Sequence, residues 1–191
     1  LVRAEDREEA RKYLPRHGEM LDATSSLPEY YPNDPIRARL SRILRIPRPA
    51  VPPVAKIRNR WETKDGLVLE EFRLTGGPSP LVPGMIAVPK DRDGLLPAVI
   101  CLHGTGGTWE REMEEPFFSR GSTLVGWARE MARRGFVALA ITQFSHPPRR
   151  EPWDWEWPKL LPLYGRTGMG LLVSDAMLCV DYLRGRSEVD S

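Results

Sequence analysis

Two stretches of the chain, PAVICL at 97–102 and FVALAI at 136–141, are apolar throughout, with no polar residue at alternate positions. A strand with one wet face alternates. A strand that reads like these two is covered on both faces, as in a parallel sheet between layers of helix. Between them, STLVGWAREMARRGF sets Leu124, Val125, Ala128, Met131 and Ala132 on one helical face, and Gly135 ends the pattern. A long irregular segment follows FVALAI. From Arg166 to Leu183, helical spacing returns with Met169, Leu172, Val173, Ala176, Val180 and Leu183. Strand, helix, strand, helix predicts an α/β fold: a mostly parallel sheet with flanking helices and right-handed crossovers.

An antiparallel N-terminal hairpin precedes this unit. VAKIRNRWE and LVLEEFRLT flank Lys64-Asp65-Gly66, a turn signal, and MIAVP is a third strand candidate. Upstream, residues 3 to about 24 read as a polar helix with acids early and bases late. PIRARLSRIL reads as a short helix, with Ile36, Leu40, Ile43 and Leu44 on one face and Pro47 and Pro49 ending it. RIPRPAVPPV is a stiff extended connector. The expected organisation is a helical extension with its Pro-rich connector over 1–52 and the main domain over 53–191.

Charge and composition exclude several classes. Lys and Arg number 28 against 26 Asp and Glu, so the net charge of +2 gives no basic face for nucleic acid. Arg37, Arg39, Arg42, Arg45 and Arg48 read as the solvated side of a helix. Two cysteines, Cys101 and Cys179, lie in apolar segments, too few and too far apart for a disulfide framework or a cysteine zinc site. No run reaches the roughly 18 apolar residues of a membrane span. The first residues are too charged for a signal peptide, which leans towards the cytoplasm. The chain begins with Leu rather than Met, so the compartment stays open.

The run PAVICL stops at His103 and gives way to Gly104, Thr105, Gly106 and Gly107. In an open α/β sheet, loops at the carboxyl ends of strands form the ligand crevice. A phosphate-cradling loop would need Lys after the glycines, and none is there. A dinucleotide fingerprint would need a third Gly at 109, where Trp stands. The four glutamates of TWEREMEEP would also repel a pyrophosphate. Acyl transfer fits better, because its tetrahedral oxyanion needs backbone N–H donors on a loop of small residues. Thr105 is the first candidate donor and Gly106 the second, with His103 bracing the loop. A tight turn without a chemical role is the bland alternative.

At these residues the chain resembles α/β-hydrolases of the dienelactone-hydrolase and acetyl-xylan-esterase-like group. The resemblance runs over about 53–191 and is most specific in PAVICLHGTGG and in GRTGMGLLVSDAMLCVDYLRGRSEVD. It implies a serine-dependent carboxylic ester hydrolase without a cofactor, acting on a small-molecule or carbohydrate ester. A peptidase, a lactone hydrolase, or a non-catalytic module that retains the cleft are the alternatives. One departure is decisive: no G-x-S-x-G occurs in the 191 residues. In this family that elbow follows the final helix and one further strand, and the triad runs Ser, Asp or Glu, His along the chain. All three members are therefore expected beyond Ser191, leaving these residues alone inert towards esters and prone to fold poorly at an open sheet edge.

Other candidates are weaker. Ser145 and His146 are adjacent and point apart on an extended segment, so His146 is read as lining the cleft mouth or as having no role. Asp175 is read as anchoring backbone or an Arg. His17, His103 and His146 lie in unrelated segments, which argues against a metal. Trp153, Trp155 and Trp157 alternate with Asp154 and Glu156. In extended conformation the three indoles would share one side, as a sugar platform or as packing for a lid.

Overall fold

The computed structural model describes residues 35–47, 51–79, 81–91, 93–104, 107–120, 123–146, 149 and 160–190. The helix expected near 3–24, the connector at 48–50, Thr105 and Gly106, and Trp153, Trp155 and Trp157 lie outside the described residues.

The strands are β1 (Val54–Glu62), β2 (Leu67–Thr75), β3 (Val82–Pro89), β4 (Ala98–Leu102), β5 (Phe118–Arg120), β6 (Thr123–Val125) and β7 (Val137–Ile141). The helices are α1 (Pro35–Ile43), α2 (Trp109–Glu112), α3 (Trp127–Arg133) and α4 (Gly168–Arg184), with a 3₁₀ turn at Leu161–Tyr164. Five strands form one sheet in the order β1-β2-β3-β7-β4, and β5 pairs with β6 apart from it.

The α/β architecture stands, with helices against both faces, but the sheet is not mostly parallel. Among the described strands β1·β2, β2·β3 and β3·β7 pair antiparallel, and in this sheet β4·β7 alone is parallel. The cause is local: the connection after Thr75 turns β2 straight back into β3, so the hairpin grows into a three-strand meander before the crossover begins. Gly66 at φ 77° makes the first turn. Asp65 beside it is held by Arg129 and Arg133 of α3. Burial alone would raise the Asp65 carboxyl, but these guanidiniums outweigh it and hold the group well below the usual carboxylate range.

β7 is fully buried, as its sequence predicts. Its alternate side chains divide the core. Val137, Leu139 and Ile141 face a cluster with Leu178, Cys179 and Leu183 of α4. Ala138 and Ala140 face the opposite cluster, with Ala128, Met131 and Ala132 of α3 and Met113 beyond α2. Alanines on that side let α3 approach the sheet closely. β4 departs from expectation: Ala98, Val99 and Ile100 are only partly buried and Leu102 is 41% exposed. It is an edge strand among the described residues, so its outer flank carries no cover.

Two further expectations shift. The helix predicted from Ser122 begins only at Trp127, because Thr123–Val125 pairs with Phe118–Arg120 and Gly126 at φ 73° turns the chain into α3. α1 forms as its spacing predicts, yet Ile36, Leu40 and Ile43 are exposed. Its C-terminal end is nonetheless tied to α4. The Thr167 hydroxyl donates to the Leu44 carbonyl at 2.5 Å while accepting from Gly170 N–H. The buried Ser174 hydroxyl donates to the Pro47 carbonyl at 2.8 Å.

A Cβ on Gly170 would stand 2.3 Å from the Leu44 carbonyl oxygen. Gly170→Ala is therefore expected to cost about 1–3 kcal/mol despite alanine's better helix propensity. Thermal unfolding checks this, with limited proteolysis around 44–47 reporting whether the connector has lifted.

Candidate active site

β4 and β7 run parallel and end side by side, with Leu102 opposite Ile141. The residues just beyond those ends, His103 and Thr142–His146, build the site. His103 is 5% exposed. Its Nε2 accepts the backbone N–H of Gln143 at 3.0 Å, and the Gln143 amide donates to the His103 carbonyl at 2.6 Å. An Nε2 that accepts leaves the proton on Nδ1, which donates to the Gly104 carbonyl at 2.9 Å. The imidazole is thus neutral with a fixed tautomer. Burial pulls its pKa below the ordinary histidine value, and His146 adds to the depression.

His103 thus ties the end of β4 to the segment after β7 and holds the Gly104 carbonyl. The Gly104 carbonyl also accepts Gly107 N–H at 3.0 Å and closes the turn. Gly107 is required there: a Cβ on it would lie 2.6 Å from the His103 Cβ. Gly104 meets no such obstacle, since a Cβ would find open space. The smallness of Gly104 serves no packing partner among the described residues. Thr105 and Gly106 fall between these fixed ends.

His146 is brought to the same place. Its ring meets His103 edge-on at 4.6 Å between centroids, and its Nδ1 lies 3.1 Å from the Phe144 carbonyl. The sequence reading treated these histidines as belonging to unrelated segments; the parallel β4·β7 pairing joins them. Both ring nitrogens of His103 already have partners, and among the described residues no cluster of three His, Cys, Asp or Glu side chains could hold a metal.

Behind the loop, Asp175 anchors an Arg as expected. Arg149 donates to fully buried Asp175 at 2.6 Å and to the Thr142 carbonyl at 2.9 Å. The Thr142 hydroxyl in turn accepts Trp109 N–H at the start of α2. One buried ion pair thus ties α4, the β7 loop and α2 into a single support.

Sequence reasoning missed Glu112. The four glutamates after the loop were expected to repel an anion together, but Glu110, Glu114 and Glu115 are exposed while Glu112 is 1% exposed. Its Oε2 has no hydrogen-bond partner among the described residues. Desolvation raises its pKa to about 8, so the group is uncharged at neutral pH. The signal was available in principle: position 112 falls between two apolar anchors, Trp109 and Met113, on the inner side of a short helix.

No family model matches the chain. A curated relative from Bacillus subtilis (strain 168), "Putative hydrolase YtaP", is 26% identical over 140 residues, covering 72% of this chain and 46% of that protein. A "putative acetyl xylan esterase" from Bacteroides fragilis superposes with TM-score 0.65 at 15% identity, covering 100% of this chain and 52% of that one. Acetyl xylan esterase 1 from Thermoanaerobacterium sp. JW/SL YS485 gives 0.53 at 15% identity, over 82% and 48%. The chain spans about half the length of these relatives. These superpositions show that it shares its fold with part of those esterase structures.

Glu112 makes a pH prediction. Below its unfolded value of 4.5 both states hold the proton, and from there to about 8 only the folded state does. Its contribution to stability is therefore present below 4.5 and lost as pH rises through about 8. Glu112→Gln should remove that loss, melting above wild type at pH 8 and matching it near pH 4. Paired thermal scans across this range check it, because the opposite trend from His103 is common to both proteins and cancels.

Proposed function

We propose that this chain forms the oxyanion-hole side of a serine-dependent carboxylic ester hydrolase whose nucleophile stands on a strand following Ser191. The supporting observation is the pairing of a braced loop with an open strand edge. His103 fixes a Gly-rich turn at the carboxyl end of β4, and the outer flank of β4 has no strand against it among the described residues. The chain after α4 already enters that flank. Leu96 N–H donates to the Glu188 carbonyl at 2.9 Å and Asp190 N–H to the Leu96 carbonyl at 2.8 Å, a parallel bridge to Val189. A strand continuing in that register would run beside β4 and end next to the His103 loop.

In this reading a serine hydroxyl, deprotonated by a histidine base, attacks the ester carbonyl carbon. The carbonyl oxygen takes the negative charge and receives N–H donors from Thr105 or Gly106 and from the residue after the serine. The tetrahedral species expels the alcohol, which takes the proton from the base, and leaves an acyl-enzyme. Water then repeats the sequence and releases the acid. The acetyl xylan esterases that share the fold favour an acetylated carbohydrate as substrate, with Trp153, Trp155 and Trp157 as the sugar-facing candidates and His146 at the cleft mouth. The chemistry draws on no cofactor and no metal.

Protein expressed from the complete reading frame should hydrolyse p-nitrophenyl acetate. Proline has no N–H, so Thr105→Pro or Gly106→Pro, whichever removes the donor, should lower kcat by about 10²–10³ with KM little changed. Absence of hydrolysis by the parent, or wild-type kcat in both proline variants, would count against the proposal.

A further inference from the structure

A cavity of about 370 Å³ opens at the same end of the sheet as His103, on the side of α4. That volume lies in the range of small-ligand sites. Its walls come from three places in the chain: Ser79 in the β2–β3 connection, Phe144 in the turn after β7, and Leu161, Tyr164, Arg166 and Leu171 around the start of α4. The surface is chiefly apolar, with two aromatic rings, and among the described residues the polar groups suited to fixing a ligand are the side chains of Ser79 and Arg166 and the hydroxyl of Tyr164.

Ser79 and Arg166 stand out among these polar groups. Ser79 is 3% exposed and its hydroxyl is buried without a hydrogen-bond partner among the described residues. A buried hydroxyl left unpaired costs free energy that a ligand acceptor or donor would recover. Arg166 is exposed, and no carboxylate pairs with it among the described residues. A guanidinium fork matches a carboxylate in bidentate geometry. A doubly charged phosphate would leave one charge uncompensated at a single cation beside apolar walls.

We propose that this cavity binds a small aromatic monocarboxylate, its ring among Phe144, Tyr164 and the leucines, its acid on Arg166, and a polar ring substituent on Ser79. Its occupancy is read without turnover. Phe144 directly follows Gln143, so a ligand here would touch the segment that holds His103.

The test uses protein from the complete reading frame, titrated with 4-hydroxybenzoate, benzoate and neutral 4-hydroxybenzamide. Calorimetry gives the affinities, and the methyl resonances of Leu161 and Leu171 report the location. The expected result is that both acids shift those methyls and that the amide binds at least about tenfold more weakly. Arg166→Gln should abolish the preference for the acid, and Ser79→Ala should bring 4-hydroxybenzoate down to benzoate. Neither variant endangers the fold, since one side chain is exposed and the other hydroxyl is unpaired. Unmoved methyls, equal affinity for the amide, or an unchanged preference in Arg166→Gln would overturn the proposal.

Discussion

The hydrogen bond from Gln143 N–H to His103 Nε2 is the contact on which the site depends. It joins the ends of two adjacent parallel strands through one side chain, and it works only while that nitrogen carries a lone pair. Burial keeps the imidazole neutral, the neutral ring keeps its tautomer, and the tautomer places Nδ1–H on the Gly104 carbonyl. The same carbonyl closes the turn to Gly107, whose missing side chain leaves room for His103. A cationic His103 would break this chain of dependence at its first link, because both ring nitrogens would then donate.

The support behind the loop is built from expensive groups. Arg149 and Asp175 are desolvated together, and Glu112 is buried with one oxygen unpaired. Such groups rarely add stability over well-packed apolar side chains. Their geometric effect is clearer: Arg149 reaches the Thr142 carbonyl and Asp175 at once, so α4 cannot shift without moving the loop that carries Gln143. Rigid placement of backbone donors is what oxyanion stabilisation requires.

The α/β class was legible because β7 and α3 write their burial directly into residue spacing. On α4 the expected face was the wrong one: Leu171, Leu178, Cys179 and Leu183 are buried while Met169 and Val180 are exposed, because Ser174 and Asp175 turn inward to bind Pro47 and Arg149. The division of β7 into large residues towards α4 and alanines towards α3 follows from period two alone. The direction of β3 was not legible, since a short loop between apolar strands does not state whether the next strand extends a meander or starts a crossover. Burial of β4 was overestimated for a related reason: an apolar run reports the cover a strand is suited to, and Leu102 lacks that cover among the described residues. At the site, the loop was readable from His103 and its glycines. The meeting of His103 with His146 was not, because 43 positions separate them in the sequence and only the parallel register brings them together.

The measurement that bears most directly on the central claim is labelling with a fluorophosphonate, which modifies activated serines, on protein from the complete reading frame, followed by mapping of the adduct by mass spectrometry. The account predicts a single modified serine after position 191, on a strand-to-helix turn flanked by glycines. No adduct, or an adduct on Ser79, Ser145 or Ser174, would contradict it.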